Sequence, residues 1–179
     1  MILYEHPLSS YAQKVKIALR EKGLAFERVL PEDFGTGRRD TAFAAANPRV
    51  EVPALLPDDG EPIFDSTVIL EYIEERWPEP PLLPKEPSAR AAARMIEELC
   101  DAQYDAVNWG FGEVLWFRRA EGALAERLKA AAARDTSALQ EWLAKRLGDA
   151  DWFGGERFGC EKTVFAPAPQ FSCFDRTCV

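Results

Sequence analysis

The chain of 179 residues is longer than one average domain and shorter than two large ones, so it fits one compact unit or two small ones. With 47% hydrophobic residues, five Trp and eleven Phe, it has the material for a core and lies outside the composition of disordered chains. A formal net charge of -8 argues against a nucleic-acid or anionic-membrane surface, which leaves a small molecule as the expected ligand.

No apolar run approaches the roughly 18 residues of a membrane span. The opening "MILYEHPL" has neither a basic region nor a long apolar one, which predicts a cytosolic protein. The four cysteines, Cys100, Cys160, Cys173 and Cys178, form no CxxC, and the single histidine, His6, lies far from them in sequence. No metal site and no disulfide framework is expected.

In chain order, "ILYEH" and "FERVL" read as short strands flanking a helix from Ser10 to Lys22, with Ala12, Val15, Ala18 and Leu19 on one face. Gly23 is the helix stop, and the two strands can then lie parallel across the crossover. A loop, "DFGTGRRD", and a short helix, "TAFAAAN", follow. "VPALLPDDGEPIF" predicts a hairpin about Asp58-Asp59-Gly60. "DSTVILEYIEERW" opens on capping residues and predicts a helix with Val68, Ile69, Tyr72, Ile73 and Trp77 as its apolar stripe.

Five prolines between Pro78 and Pro87 mark a stiff linker. Beyond it, Ile96, Leu99, Cys100, Tyr104, Val107 and Phe111 recur at the spacing of one long helix. Leu124, Leu128, Leu139, Trp142, Leu143 and Leu147 mark a second. The expected organisation is an α/β unit over 1–77, the linker over 78–87, a partial all-helical domain over 88–159 and an irregular tail over 160–179. The tail, "CEKTVFAPAPQFSCFDRTCV", has no sustained helical period.

The adjacent hydroxyls of Ser9 and Ser10, where the first strand gives way to the helix, have two readings. Serine is a common N-cap. A hydroxyl at a helix amino end also stabilises an anion placed there, with the N-H groups and the helix dipole. The Asp65-Ser66 pair at the later helix start carries the same two readings.

The motifs "LSSYAQKVKIALREKGL", "NPRVEVPALL" and "IFDSTVILEYIEERWP", followed by the proline-rich linker and helices, resemble the cytosolic glutathione transferases, nearest the bacterial serine type, over about residues 1–158. The resemblance implies a thioredoxin-like α/β domain followed by an incomplete all-α domain. It implies glutathione as co-substrate, a small electrophile as second substrate, a homodimer, and no metal. It selects Ser9, six residues before Val15, as the catalytic residue, with Tyr11 a lesser rival. A free thiol with a pKa near 8.5 is only about 3% thiolate at pH 7. Lowering that pKa by about two units takes about 2.7 kcal/mol of preferential thiolate stabilisation. Disulfide exchange of the thioredoxin kind would want a cysteine near Ser9, and none is present.

By the same resemblance, Asp65 and Ser66 take the γ-glutamyl end of glutathione. A cis Val52-Pro53 bond turns the Val52 backbone toward its cysteinyl unit. Glu51 stands where many relatives carry Lys or Gln, so Arg39, Arg49, Arg38 or Lys14 is left to meet the glycyl carboxylate. Tyr104, Asn108 and Phe111, with Trp109 and Trp116 nearby, are candidates for the electrophile site, although aromatics at helical spacing also serve packing. A glutathione-binding or dimerisation module without turnover, or a glutathione-dependent reductase or peroxidase, would carry the same motifs. The resemblance lapses after Gly159, where the tail reads either as a divergent ending or as a shifted reading frame that ended the protein early, and truncation is the expectation.

Overall fold

The β-α-β unit expected at the amino end is present in the computed structural model, which describes residues 1–32, 34, 36, 38–150 and 153. The expected tail at 160–179 lies outside the described residues. The chain divides into two units between Pro84 and Lys85.

In the first unit, β1 (Ile2–Tyr4) leads into α1 (Ser10–Glu21) and β2 (Glu27–Val29). After α2 (Ala42–Ala46) come β3 (Ala54–Leu56), β4 (Ile63–Phe64) and α3 (Ser66–Arg76). The strand order is β2-β1-β3-β4, with β1 parallel to β2 and antiparallel to β3, and β3 antiparallel to β4. This is the thioredoxin-like arrangement that the resemblance implies.

Strand alternation sorts the side chains between two cores. Leu3 and Leu55 join Val15 and Leu19 of α1 and Ile69 and Ile73 of α3 in one cluster. Tyr4, Ala54 and Phe64 point the other way, to Phe43 of α2 and Val52. The six residues at the centre of the first cluster are fully buried, and each such side chain contributes about 1.5 to 3 kcal/mol.

The ends of α1 follow from its sequence. Ser9 caps its start, and at its end the Gly23 N-H donates to Arg20 O and the Leu24 N-H to Leu19 O, both at 2.9 Å. That pattern needs a left-handed residue, and Gly23 has φ 67°. Leu24 packs onto the cluster containing Leu19, completing the stop.

Helix α3 departs from expectation at Val68, which is 53% exposed. Its covered stripe is Ile69, Leu70 and Ile73, with Tyr72 and Trp77 half-buried. At about 100° per residue, Val68 falls on the far side from the centre of that stripe.

The segment after α3 is fastened rather than merely stiff. Leu82 and Leu83 are buried, and their N-H groups donate to the Glu74 carboxylate at 3.0 to 3.1 Å. The Lys22 ammonium, 2.7 Å from Glu74, donates to Trp77 O at 2.6 Å and Pro80 O at 2.9 Å. One buried ion pair thus joins the end of α1, the end of α3 and the chain beyond.

The second unit holds α4 (Pro87–Leu99), a π-helical stretch at Cys100–Asp105, α5 (Ala106–Leu115) and α6 (Gly122–Leu147). Pro87 is the first residue of α4 rather than the last of a linker. Glu86 caps that helix through the Ser88 and Ala89 N-H groups at 3.0 and 2.8 Å. The Ser88 hydroxyl, then those two N-H groups, hold the Glu86 carboxyl below its ordinary value.

The single long helix expected across Ile96–Phe111 is broken by the π stretch. Each π turn shifts the phase of everything after it. Ile96 and Cys100 are buried, but Tyr104, Val107 and Phe111 are only half-buried. On α6 the covered residues are Ala125, Thr136, Leu139 and Leu143, whereas Leu124, Leu128 and Trp142 are exposed. Those three lie round the helix to one side of the covered line.

The Glu74 contacts give a direct expectation for stability. Glu74→Ala should cost about 3 to 5 kcal/mol in urea unfolding, because it leaves a buried ammonium without its carboxylate and two buried N-H groups without an acceptor. A loss below 1 kcal/mol would show that water replaces the carboxylate freely.

Candidate functional site

Register brings three of the expected segments to one end of the sheet. Tyr4 at the exit of β1 lies opposite Ala54 at the entry of antiparallel β3, and Ala54 lies opposite Phe64 at the exit of β4. The residues just outside those pairs are His6–Ser9, Val52-Pro53 and Asp65-Ser66. Lys14 of α1, buried, donates from Nζ to Thr67 Oγ1 of α3 at 3.2 Å, which ties the two helix starts together.

Ser9 has extended backbone angles, φ -80° and ψ 113°, and its Oγ accepts the Ala12 N-H at 3.1 Å. Its own N-H donates to His6 O at 2.9 Å, and its carbonyl accepts from Gln13 at 3.0 Å. The two readings of this serine are therefore compatible. Capping uses a lone pair on Oγ and leaves the O-H proton available to an acceptor beyond the helix end. His6 is occupied locally, with Nδ1 accepting the Leu8 N-H at 3.1 Å and its ring stacked on Phe34.

The Val52-Pro53 bond is cis. Val52 is 9% exposed, with its side chain in the α2-facing cluster, and among the described residues nothing hydrogen-bonds its N-H or C=O.

Asp65 caps α3, its Oδ1 accepting the Thr67 N-H at 3.1 Å, with φ at 73°. Ser66 is 5% exposed, and among the described residues no group bonds its hydroxyl. A carboxylate placed here would meet a free O-H and the amino end of an 11-residue helix.

The basic residues divide. Arg49 lies 2.7 Å from Glu51 and 3.9 Å from Asp65, so it flanks the site. Arg39 donates to Pro48 O at 2.6 Å, on the same loop. Arg38 is engaged by Asp40 at 3.1 Å through Nε, and that contact first of all holds the Asp40 carboxyl below its ordinary value.

Asn47 was not singled out by sequence reasoning. Its buried carboxamide donates to Glu51 O at 2.6 Å and accepts the Arg49 N-H at 2.9 Å. The signal available was an Asn before Pro in "NPRV", the usual composition of a side-chain-closed turn.

The electrophile-site candidates belong to the second unit. Tyr104 lies in the π stretch and accepts from Gln140 Nε2 at 3.3 Å, and Asn108 and Phe111 are half-buried on α5. Trp109 is exposed on α5, its ring 6.2 Å from that of Phe117. Trp116, at the end of α5, lays its ring over Gly112, where a Cβ would come within 2.6 Å of it. These residues therefore do not share one continuous α-helical face. Among the described residues no group of three His, Cys, Asp or Glu is placed to hold a metal, and no helix is long and apolar enough to cross a membrane.

A four-stranded thioredoxin-like unit whose first helix is capped by a half-buried serine, followed by helices, defines a class, and comparison with known proteins supplies the family. Residues 3–81 match the glutathione S-transferase N-terminal domain model. A maleylacetoacetate isomerase of Pseudomonas aeruginosa is 32% identical over 181 residues, covering 93% of this chain and 79% of that protein. Glutathione S-transferase U6 of Arabidopsis thaliana is 32% identical over 84% of this chain, which spans 62% of its length. A glutathione S-transferase from Methylobacterium radiotolerans, solved in complex with glutathione sulfonate, superposes with a TM-score of 0.78 at 35% identity, over 95% of this chain and 77% of that one. The chain belongs to the glutathione S-transferase family of enzymes.

The Ser9 cap has a measurable weight of its own. Ser9→Ala should lower unfolding stability by about 0.5 to 2 kcal/mol, and Ser9→Gly by only a few tenths, since glycine caps almost as well without an oxygen. Equal losses for both variants would point to a packing role for the side chain instead.

Proposed function

We propose that the first unit binds glutathione with its sulfur at the amino end of α1, where the Ser9 hydroxyl donates to the thiolate, and that the bound thiolate attacks a small electrophile. The observation that carries this reading is the Ser9 geometry: Oγ is fixed by the Ala12 N-H at 3.1 Å while its proton is left to donate outward. A fixed donor is aligned before the anion forms, so stabilising the thiolate requires little reorganisation. The helix dipole adds to it in the same direction.

The rest of the tripeptide follows the remaining vacant groups. The unpaired N-H and C=O of Val52, next to Pro53, suit the cysteinyl backbone. The Ser66 hydroxyl and the α3 amino end suit the γ-glutamyl carboxylate, with Asp65 for its ammonium. Arg49 and Arg39 are assigned to the glycyl carboxylate. Glu51 already pairs with Arg49, so that carboxylate has to compete for it. On the resemblance alone, Tyr104, Asn108 and Phe111 are assigned to the electrophile, residues 1–77 to glutathione binding and residues 88–159 to a partial helical domain. A homodimer in the cytosol belongs to the same reading. Isomerisation, the activity in the name of one relative, is a second reading of the same site.

Calorimetric titration with glutathione, followed by conjugation to a generic aryl halide, tests the proposal. Binding with turnover is expected, and Ser66→Ala should weaken binding by roughly 1 to 3 kcal/mol, as for loss of a hydrogen bond to a charged group. Binding without turnover would favour the non-catalytic module. Reduction of a disulfide or peroxide in place of conjugation would favour the reductase or peroxidase.

A further inference from the structure

Asn47 has no place in the reading above, yet its side chain and backbone together organise the loop that precedes Val52. It is 2% exposed and is the C-cap of α2, with extended backbone angles and its N-H donating to Phe43 O at 2.8 Å. Its carbonyl accepts the Val50 N-H at 2.9 Å, while its side-chain oxygen accepts the Arg49 N-H at 2.9 Å. Its side-chain nitrogen donates to Glu51 O at 2.6 Å. Residues 49, 50 and 51 are thus all hydrogen-bonded to this one residue. Val50 is held at φ 57°, a conformation that a β-branched residue rarely adopts.

The bond to Glu51 O matters most because of peptide geometry. The Glu51 carbonyl and the Val52 N-H belong to one planar peptide unit, and in a trans unit they point in opposite directions. Only the Val52-Pro53 and Glu79-Pro80 bonds are cis among the described residues, so the Glu51-Val52 unit is trans. Fixing its carbonyl toward the buried Asn47 therefore aims its N-H away from Asn47. That N-H has no partner among the described residues.

We propose that Asn47 is a positioning residue for thiol-peptide binding: its carboxamide sets the plane of the Glu51-Val52 peptide so that the Val52 N-H is presented, already oriented, to a backbone carbonyl of the ligand. The inference rests on the glutathione reading of the site, in which the Val52 backbone pairs with the cysteinyl unit, and adds the residue that orients the Val52 N-H. A ligand with the same γ-glutamyl group and thiol but no cysteinyl carbonyl, such as γ-glutamylcysteamine, cannot use the oriented N-H.

The test compares glutathione with γ-glutamylcysteamine, by calorimetry, on the full chain and on its Asn47→Ala and Asn47→Asp variants. Asp keeps an acceptor for the Arg49 N-H but sets an oxygen against Glu51 O, so it isolates the contact to the peptide plane. Both variants should bind glutathione roughly tenfold more weakly, the upper part of the range for one neutral hydrogen bond. Their affinity for γ-glutamylcysteamine should change less than twofold. The KM for glutathione should rise with kcat at saturation preserved.

Equal weakening of both ligands, or no weakening of glutathione, would overturn the proposal. If the variants do not fold, amide exchange in the unaltered protein decides. The Val52 N-H should exchange freely without ligand and become protected with glutathione, and protection that does not change on binding would overturn the proposal. If the unaltered protein shows no glutathione binding at all, the functional reading fails first and this inference falls with it.

Discussion

The antiparallel register of β1 with β3, Tyr4 opposite Ala54, is the constraint on which the site depends. It sets the exit of β1 beside the entry of β3, and the β3–β4 hairpin then returns the chain to the same end of the sheet. Three loops far apart in sequence are delivered together with no long insertion. A slip of one residue would exchange Leu3 for Tyr4 in the α1 and α3 core and move every loop from its place. The fully buried Leu3 and Leu55 make such a slip costly, so the packing of the hydrophobic core is also what holds the site in register.

Two buried ion pairs reinforce that frame. Glu5, just after β1, meets Lys16 of α1 at 2.8 Å, and Glu74 of α3 meets Lys22 at 2.7 Å. A buried pair offsets its desolvation cost only when each charge is also hydrogen-bonded, and removing one partner then leaves the other uncompensated. Glu74 and Lys22 meet that condition through backbone groups of residues 77, 80, 82 and 83. The ends of α1 and α3 are thereby secured, while their starts carry the capping side chains of Ser9 and Asp65. The two helix starts are themselves linked through Lys14 and Thr67.

Much of the first unit was legible because its signals are local. Gly23 supplied the left-handed stop that α1 needs, Asp58-Asp59-Gly60 separated two strand-like runs, and Ser9 and Asp65 stood where caps belong. Period alone misplaced Val68, Leu124, Leu128 and Trp142, since a residue's exposure depends on which neighbours cover a helix and not on its apolarity. The π stretch at Cys100–Asp105 left no mark in the spacing, so the phase of the residues after it could not be read. Asn47 escaped notice for a related reason. Its weight comes from three backbone groups gathered by the folded loop, whereas the sequence shows only an Asn before a Pro.

Capping uses the Ser9 hydroxyl, and the proposed thiolate stabilisation would use the same group, so loss of stability in a Ser9 variant cannot separate them, and the thiol's own titration can. Ultraviolet titration of the bound thiolate should give a pKa about two units below that of free glutathione, returned in Ser9→Ala toward the ordinary thiol value of about 8.5. Ser10→Ala should leave it where it is. A bound thiol that titrates identically in the unaltered protein and in Ser9→Ala would contradict the account, and would leave Ser9 as a helix cap alone.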